Sequence, residues 1–501
     1  MLKHSAFLDD GTLTHFRNLK PAVDLDPLWA FNEFATADFN DLRLTSRLQF
    51  IARDFAQQPL ASIPQACGNW ANSKAAYRFC SNEKVSFAAI LAAHSERTLQ
   101  RLPSDSVILC PQDTTTLNYI AHPATQGLGH VGTKPGKSLG LLLHSTLAVS
   151  PQGDFYGLLD ARCWARPQRK KSRRARSRHD KKISEKESFR WLEGFRHVDQ
   201  LAQLYPDRQW VSVSDREGDI YEVLQEAAAP EHRAGLLVRA RHDRSLLDPR
   251  RTTLFKYLRR LPPAGTHTVR VPRHEDQPAR EVTLSVSFAQ VRCAAPRYHS
   301  GQPPLTLWAV WAQEIDPPAG QKPIRWCLLT TVPVQTLAQA IERIAWYVKR
   351  WTIEEFHRVL KSGCQVEARQ LTTGARLQRA LAIDMVVAWR IMDLNKAARL
   401  QPDAPADRWL STHQWQALYC YVHQTHTAPP KPPTIAQAVW WIAQLGGFLA
   451  RTSDGHPGPM TLWRGLQRLN DIVASWRAFG PNRRVPLRAK PRRRKSSKRC
   501  G

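Results

Sequence analysis

Tyr347, Arg350, Glu354 and Lys361 stand in the stretch WYVKRWTIEEFHRVLKSG at separations of three, four and seven residues, the spacing of one helix face. At about 100° per residue their side chains fall within about 80° of arc, with Arg358 beside them. One carboxylate held on a rigid surface among cations and a phenol suits a metal ion bound next to phosphates. The opposite face carries Ala345, Val348, Phe356 and Val359 and is expected to pack on a core. Glu355 lies about 100° further round and is the weaker candidate acid. Thr336 and Gln339 have capping-box spacing at the start of this helix, and Gly363 can end it.

Two further acids belong to strands. VILCPQDTTTLNY places Asp113 just past one short β-branched run, and WVSVSDREGDIYEVL places Asp215 at the end of another. A single aspartate in such a place is commonly a turn residue, and Asp219 reads as a cap. Three carboxylates converging from separate elements can hold two divalent ions, preferably Mg²⁺, with Mn²⁺ a possible substitute. Two such ions about 4 Å apart would stabilise the attacking and leaving oxygens of an in-line phosphoryl displacement.

Composition points the same way. The chain has 501 residues, enough for about three domains, and 42% are hydrophobic, enough for real cores. A formal net charge of +29 implies a polyanionic partner, with nucleic acid the default. No run approaches the roughly 18 apolar residues of a membrane span, and the first residues lack the apolar segment of a signal peptide. Nine cysteines without a CxxC pair fit neither a zinc site nor a disulfide framework. Reduced thiols in a cytoplasmic protein are the simplest account, with no membrane partner.

Residues 1–34 carry little pattern and read as a leader. Residues 35–104 read as helices, with Asn72 or Ser73 opening the middle one and Ser86 the third. Residues 105–375 begin with three consecutive strands and then alternate strand with helix, which predicts a mixed α/β sheet covered by helices. An antiparallel β-rich insertion is expected over about 263–333. Residues 376–480 are helical, broken at PPKPP, and 481–501 form a basic tail. The basic runs in 169–182 and 483–499 read as solvated segments that touch phosphates without sequence preference.

The motifs QDTTTLNY, SDREGDIYEVL, LLVRARH, EIDPPAGQKPIRWCLLTTVPV and YVKRWTIEEFHRVLKSG resemble the bacterial IS-four family of insertion-sequence transposases, particularly its Tn-five branch. RLTSRL and AAYRFCSN resemble that family's amino-terminal domain, and IAQLGGFLARTSDG its carboxy-terminal helices. The likeness covers roughly residues 35–475.

It implies a ribonuclease-H-like core with an acidic triad at Asp113, Asp215 and Glu354. It also implies nicking of each transposon end, a hairpin intermediate and transfer of the freed 3′-hydroxyl to target DNA. Trp326 would take the flipped-base position, with Trp351 assisting. Tyr347, Arg350, Arg358, Lys361 and Arg239 would grip the nearby strand, while Arg47 and Arg78 would contact the terminal inverted repeats. A homodimer on double-stranded DNA, joined by the 376–480 helices in a nucleoid-associated bacterial setting, completes the expectation. Two other readings stay open on the sequence: a metal-dependent nuclease without strand transfer, and a DNA-binding inhibitor of transposition.

Overall fold

A computed structural model describes residues 29–132, 138–167, 182–247, 252–271, 280–299, 301–321, 323–451 and 454–480. Five helices come first: α1 (Trp29–Glu33), α2 (Leu42–Gln57), α3 (Ile63–Cys67), α4 (Trp70–Ser81) and α5 (Phe87–Arg101). Part of the expected leader is therefore ordered, with Phe34 fully buried; residues 1–28 lie outside the described residues. Ser86 caps α5 as expected, but α4 opens at Asn69, whose side chain accepts the Asn72 N–H at 2.9 Å. Trp70 and Ala71 thereby join the helix that Asn72 or Ser73 was expected to start.

The sheet follows: β1 (Val107–Asn118), β2 (Gly129–His130), β3 (Leu139–Val149), β4 (Phe155–Trp164), then α6 (Phe189–Leu204), β5 (Gln209–Ser214), α7 (Tyr221–Ala227) and β6 (Gly235–Arg239). In space β4 pairs β3, β3 pairs β1, and β1 continues to β5 and β6. β3 and β4 are antiparallel to their neighbours, while β1, β5 and β6 run parallel. That mixed order is ribonuclease-H-like. β3 is buried along almost its whole length, which is why it reads as a near-continuous apolar run.

After α8 (Leu254–Leu258), the expected insertion appears as β7 (Gly265–Val271), β8 (Arg280–Cys293), β9 (Leu305–Glu314) and β10 (Arg325–Thr330). It is antiparallel, as the alternation predicts, but it is no separate sheet. β10 pairs directly with β6, so ten strands make one continuous sheet. The basic runs fall almost wholly outside the described residues, as do residues 481–501.

The remaining elements are helical: α9 (Leu337–Lys349), α10 (Trp351–Arg358), α11 (Gly374–Leu400), α12 (Thr412–His423), α13 (Ile435–Leu445) and α14 (Pro459–Phe479). α11 is buried on nearly every side and touches α2, α5, β4, α13 and α14. One apolar cluster consequently runs from the amino-terminal helices through one sheet face to α11. The amino-terminal helices are built into the core.

Two buried polar groups fasten them there. Glu33 takes both the His94 ring at 2.5 Å and the Arg101 guanidinium, and the Leu158 N–H of β4 donates to the same histidine at 3.1 Å. Arg369 grips Asp384 of α11 through two hydrogen bonds, donates to the Ala61 carbonyl at 2.7 Å and lies over the Phe55 ring. Both members of this pair are almost fully buried. Breaking such a pair leaves an uncompensated charge at about 3–5 kcal/mol, whereas replacing both members can be near neutral. Asp384→Leu should therefore lose about 3–5 kcal/mol in urea unfolding, and the double change Arg369→Met with Asp384→Leu should recover most of it. A single-variant loss below about 1 kcal/mol would contradict the pair's structural role.

Candidate catalytic site

Strand register brings the first two acids together. β1 and β5 are parallel, and their last matched rows are Cys110 with Ser212 and Pro111 with Val213. Two residues beyond that last row stand Asp113 and Asp215. They have the same parity, so their side chains leave the same sheet face on neighbouring chains about 4.8 Å apart. β1 does not end before Asp113, as the sequence suggested. The β-branched run Thr114–Thr116 carries it on to Asn118, paired with β3, and Asp113 lies opposite Ser145. Asp215 follows the end of β5 as expected, and its carboxylate accepts the Glu217 N–H at 2.7 Å.

The third acid arrives on a helix interrupted at Arg350. α9 stops at Lys349, Arg350 forms a joint, and α10 continues to Arg358 before a wider π-helical turn, Val359–Gly363. The expected apolar face is accordingly rotated. Phe356 and Val359 are buried as foreseen, but Ala345 and Val348 are half-exposed while Ile344, Trp346 and Tyr347 are buried. α9 lies across β1, β6, β8 and β9, so a broad face is covered. Only half of the expected capping box forms: Thr336 accepts the Gln339 N–H, whereas the Gln339 side chain accepts from Gln335.

Arg350 at the joint links the acids. Its guanidinium is ion-paired with Glu354, and its Nη1 lies 3.8 Å from Asp113 Oδ2. Burial pushes the Asp113 carboxyl up to about 7. Arg350 and the Thr114 N–H work against that rise, while the charges of Asp215 and Glu354 add to it. The three carboxylates thus feel one another. Among the described residues, however, no three Asp, Glu, His or Cys side chains stand close enough to hold a metal ion. The cation between Asp113 and Glu354 is the guanidinium of Arg350. Hard carboxylate oxygens that repel one another are a donor set fitted to a divalent ion.

Beside the acids, Arg239 ends β6 opposite Leu328 of β10, and its Nη2 donates to the Arg325 carbonyl at 3.1 Å. Arg239 also lies against the Tyr347 hydroxyl, and burial lowers its pKa. The Trp326 ring meets Tyr347 edge-on, with centroids 5.7 Å apart. Trp351, at 37% exposure, stands free on the next turn. Two residues depart from the expected face. Arg358 turns to Glu355 at 3.6 Å, and Lys361, on the π-helical turn, is half-buried near His357 and Glu367. Arg47 and Arg78 belong to α2 and α4, with Arg78 exposed and Arg47 half-exposed, and are not part of this cluster.

Several residues that the sequence reading passed over support the acids. Arg190 of α6 donates to Thr114 Oγ1 at 2.7 Å and pairs with Glu217 at 3.0 Å, bracing the segments that follow both aspartates. The Thr114 hydroxyl also meets His144 Nδ1 at 2.9 Å; His144 Nε2 faces the Gln112 side-chain Oε1 at 3.3 Å, and Gln112 Nε2 donates to Ser212 Oγ at 2.9 Å. This chain of polar contacts crosses β3, β1 and β5 beneath the acids. Burial keeps His144 far below the usual histidine pKa and, with Lys361 nearby, pushes His357 down to about 3. A lone histidine in LLLHSTLAV is the signal that could have exposed this network. Asp219 is more than a cap: fully buried, it accepts the Arg241 and His242 N–H groups at 2.6 and 2.9 Å and pairs with Arg244.

Three family models match the chain. One describes a transposase DNA-binding domain over residues 26–85, one a transposase DDE domain over residues 159–389, and one a Tn5 transposase dimerisation domain over residues 386–480. Asp215 and Glu354 fall within the second match; Asp113 lies before it. Among solved structures, a cryo-EM synaptic complex of piggyBac transposase with hairpin DNA is 9% identical, with a TM-score of 0.33. The match covers 78% of this chain but only 57% of that one.

The raised Asp113 carboxyl makes a pH prediction. Between about pH 4 and 7 the folded chain holds this proton and the unfolded chain does not, so this group's contribution to stability falls as pH rises. Asp113→Asn should raise the melting temperature of the metal-free protein more at pH 8 than at pH 5. An equal shift at both values would contradict the buried, mutually repelling cluster.

Proposed function

The chain belongs to the Tn5-like DDE transposases, and from that premise we propose that it cuts and rejoins the ends of an insertion sequence at Asp113, Asp215 and Glu354. The observation that carries this is the approach of three elements: Asp113 and Asp215 each stand two residues past the last paired row of adjacent parallel strands, with Glu354 tied to Asp113 through Arg350. The three carboxylates would hold divalent ions, two Mg²⁺ with Mn²⁺ able to replace them. Such ions supply charge stabilisation for phosphodiester displacement.

The chain's own residues do the positioning. Arg350, released from the acids, is placed to meet a phosphate, and Arg239 offers a second cation on the same side. Trp326, held edge-on by Tyr347, presents a ring to a base extruded from a bent strand. Unstacking costs a few kcal/mol and stacking on an aromatic returns about 1–3. Trp351 extends this strand-gripping surface, while Arg47 and Arg78 on the amino-terminal helices meet the terminal inverted repeats.

In the proposed sequence, water cleaves one strand at the transposon end and frees a 3′-hydroxyl. That hydroxyl attacks a phosphodiester of the opposite strand, forming a hairpin and expelling the flanking DNA with a 3′-hydroxyl of its own. Once the hairpin is opened, it attacks target DNA. The helices of 376–480 would join two copies, one on each end, in a bacterial, nucleoid-associated setting. No helix among the described residues is long and apolar enough to cross a membrane.

With Mg²⁺ and a duplex carrying the source element's terminal repeats, the protein should nick at the repeat boundary. Glu354→Gln should bind the duplex and leave it uncut; cleavage unchanged in that variant would overturn the assignment. Trp326→Ala should lower hairpin formation about tenfold while leaving the first nick nearly intact, since only the hairpin needs the extruded base. Equal loss in both steps would make Trp326 a core residue.

A further inference from the structure

Four residues past Asp215 and two past Arg239, the chain enters a second concavity that none of the steps above uses. It is a cleft of about 660 Å³. Its walls are the start of α7, the loop after β6, the segment after β8 and the residues leading into α6. That volume suits a molecule of one or two nucleotides.

The loop after β6 is held rigidly. Asp219 is buried beneath it, accepting two of its N–H groups, and Arg244 cancels the aspartate's charge at 2.5 Å. The other acids on the walls are also engaged: Glu222 faces His299 Nε2 at 3.3 Å, and Asp243 accepts from Thr253 Oγ1 and the Phe255 N–H. Lys186, Arg241 and Arg297, by contrast, have no carboxylate partner among the described residues. The cleft therefore presents unneutralised positive charge on a fixed frame.

It also presents stacked rings. Tyr221 lies on His299 with centroids 4.8 Å apart and planes 28° from parallel, and His299 meets Tyr298 at 4.9 Å. Tyr298, at the outer end, is 58% exposed and offers a ring to solvent. Tyr221, only 4% exposed, forms the inner end of this stack.

Cations along a groove and an exposed aromatic together fit one chemistry, a nucleotide of single-stranded or unpaired DNA. We propose that this cleft binds DNA lying outside the terminal repeat, with a base on Tyr298 and its phosphates against Arg241, Arg297 and Lys186. The proposal rests on the transposase reading. The strand has two possible sources, the flank of the donor or the target, and one chemistry serves both.

Three measurements on the full chain test it. Single-stranded DNA carrying 5-iododeoxyuridine should crosslink under ultraviolet light to the peptide containing Tyr298. Replacing Arg241 and Arg297 together by alanine should lower, by about tenfold or more, one of two reactions. One is the joining of pre-cut terminal repeats to a target plasmid; the other is the first nick on an uncut donor with its flank. Loss in the joining arm assigns the cleft to target DNA, and loss in the nicking arm assigns it to the flank.

Replacing the same two residues by lysine should restore most of the lost reaction, and all variants should melt within a few degrees of wild type. Unchanged rates in both arms, a loss that lysine does not rescue, or no crosslink at Tyr298 would overturn the proposal. If the wild-type chain neither nicks nor joins DNA, the transposase reading fails first, and the crosslink alone decides whether the cleft takes DNA.

Discussion

The parallel pairing of β1 with β5 is the constraint on which the candidate site depends. A one-residue slip would turn one aspartate to the opposite sheet face, because side chains alternate along a strand. The register is protected from below. Gln112 and Ser212 join the two strands, and His144 of β3 joins Gln112, so polar contacts inside an apolar layer accept only this alignment. Gly194 of α6 adds a steric condition, since a Cβ there would stand 2.3 Å from the Gln112 side chain. The helix can cover the strands closely only where it has no side chain.

Placing three acids together in a chain of net charge +29 needs compensation. Two like charges about 4 Å apart repel by about 4 kcal/mol at an effective dielectric near 20. Arg350 offsets part of this by facing two of the acids at once. It does so from the turn between α9 and α10, where its guanidinium also lies over the Tyr347 ring, 5.8 Å from the centroid. Tyr347 is itself buried against Trp326, so one arginine joins the aromatic pair to the acids.

Much of this was legible in the sequence, for identifiable reasons. The strands with β-branched or continuous apolar runs, the amphipathic helices and the antiparallel insertion all have local signals, and the fold contains them. Strand and helix ends were less legible. Asp113 sits within β1 because pairing with β3 extends the strand beyond its apolar part, and α4 begins at an earlier cap than the one chosen. Long-range consequences were hidden. Nothing local says that β10 continues the sheet at β6, that Arg369 finds Asp384, or that Asp219 anchors the loop after β6. The acids were visible by type and position, whereas Arg190 and His144 act through contacts between elements far apart in the chain. Arg358 shows the opposite failure: helical spacing placed it with the cluster, but Glu355 is nearer.

In the proposed site Asp113, Asp215 and Glu354 jointly ligate divalent metal when DNA is bound. Anomalous diffraction from a crystal of the full chain with Mn²⁺ and a terminal-repeat duplex would reveal those ions. Manganese peaks bonded to oxygens of all three carboxylates are expected, with Arg350 moved from Asp113 toward a DNA phosphate. Manganese bound elsewhere, or a site from which any one of the three acids is missing, would contradict it.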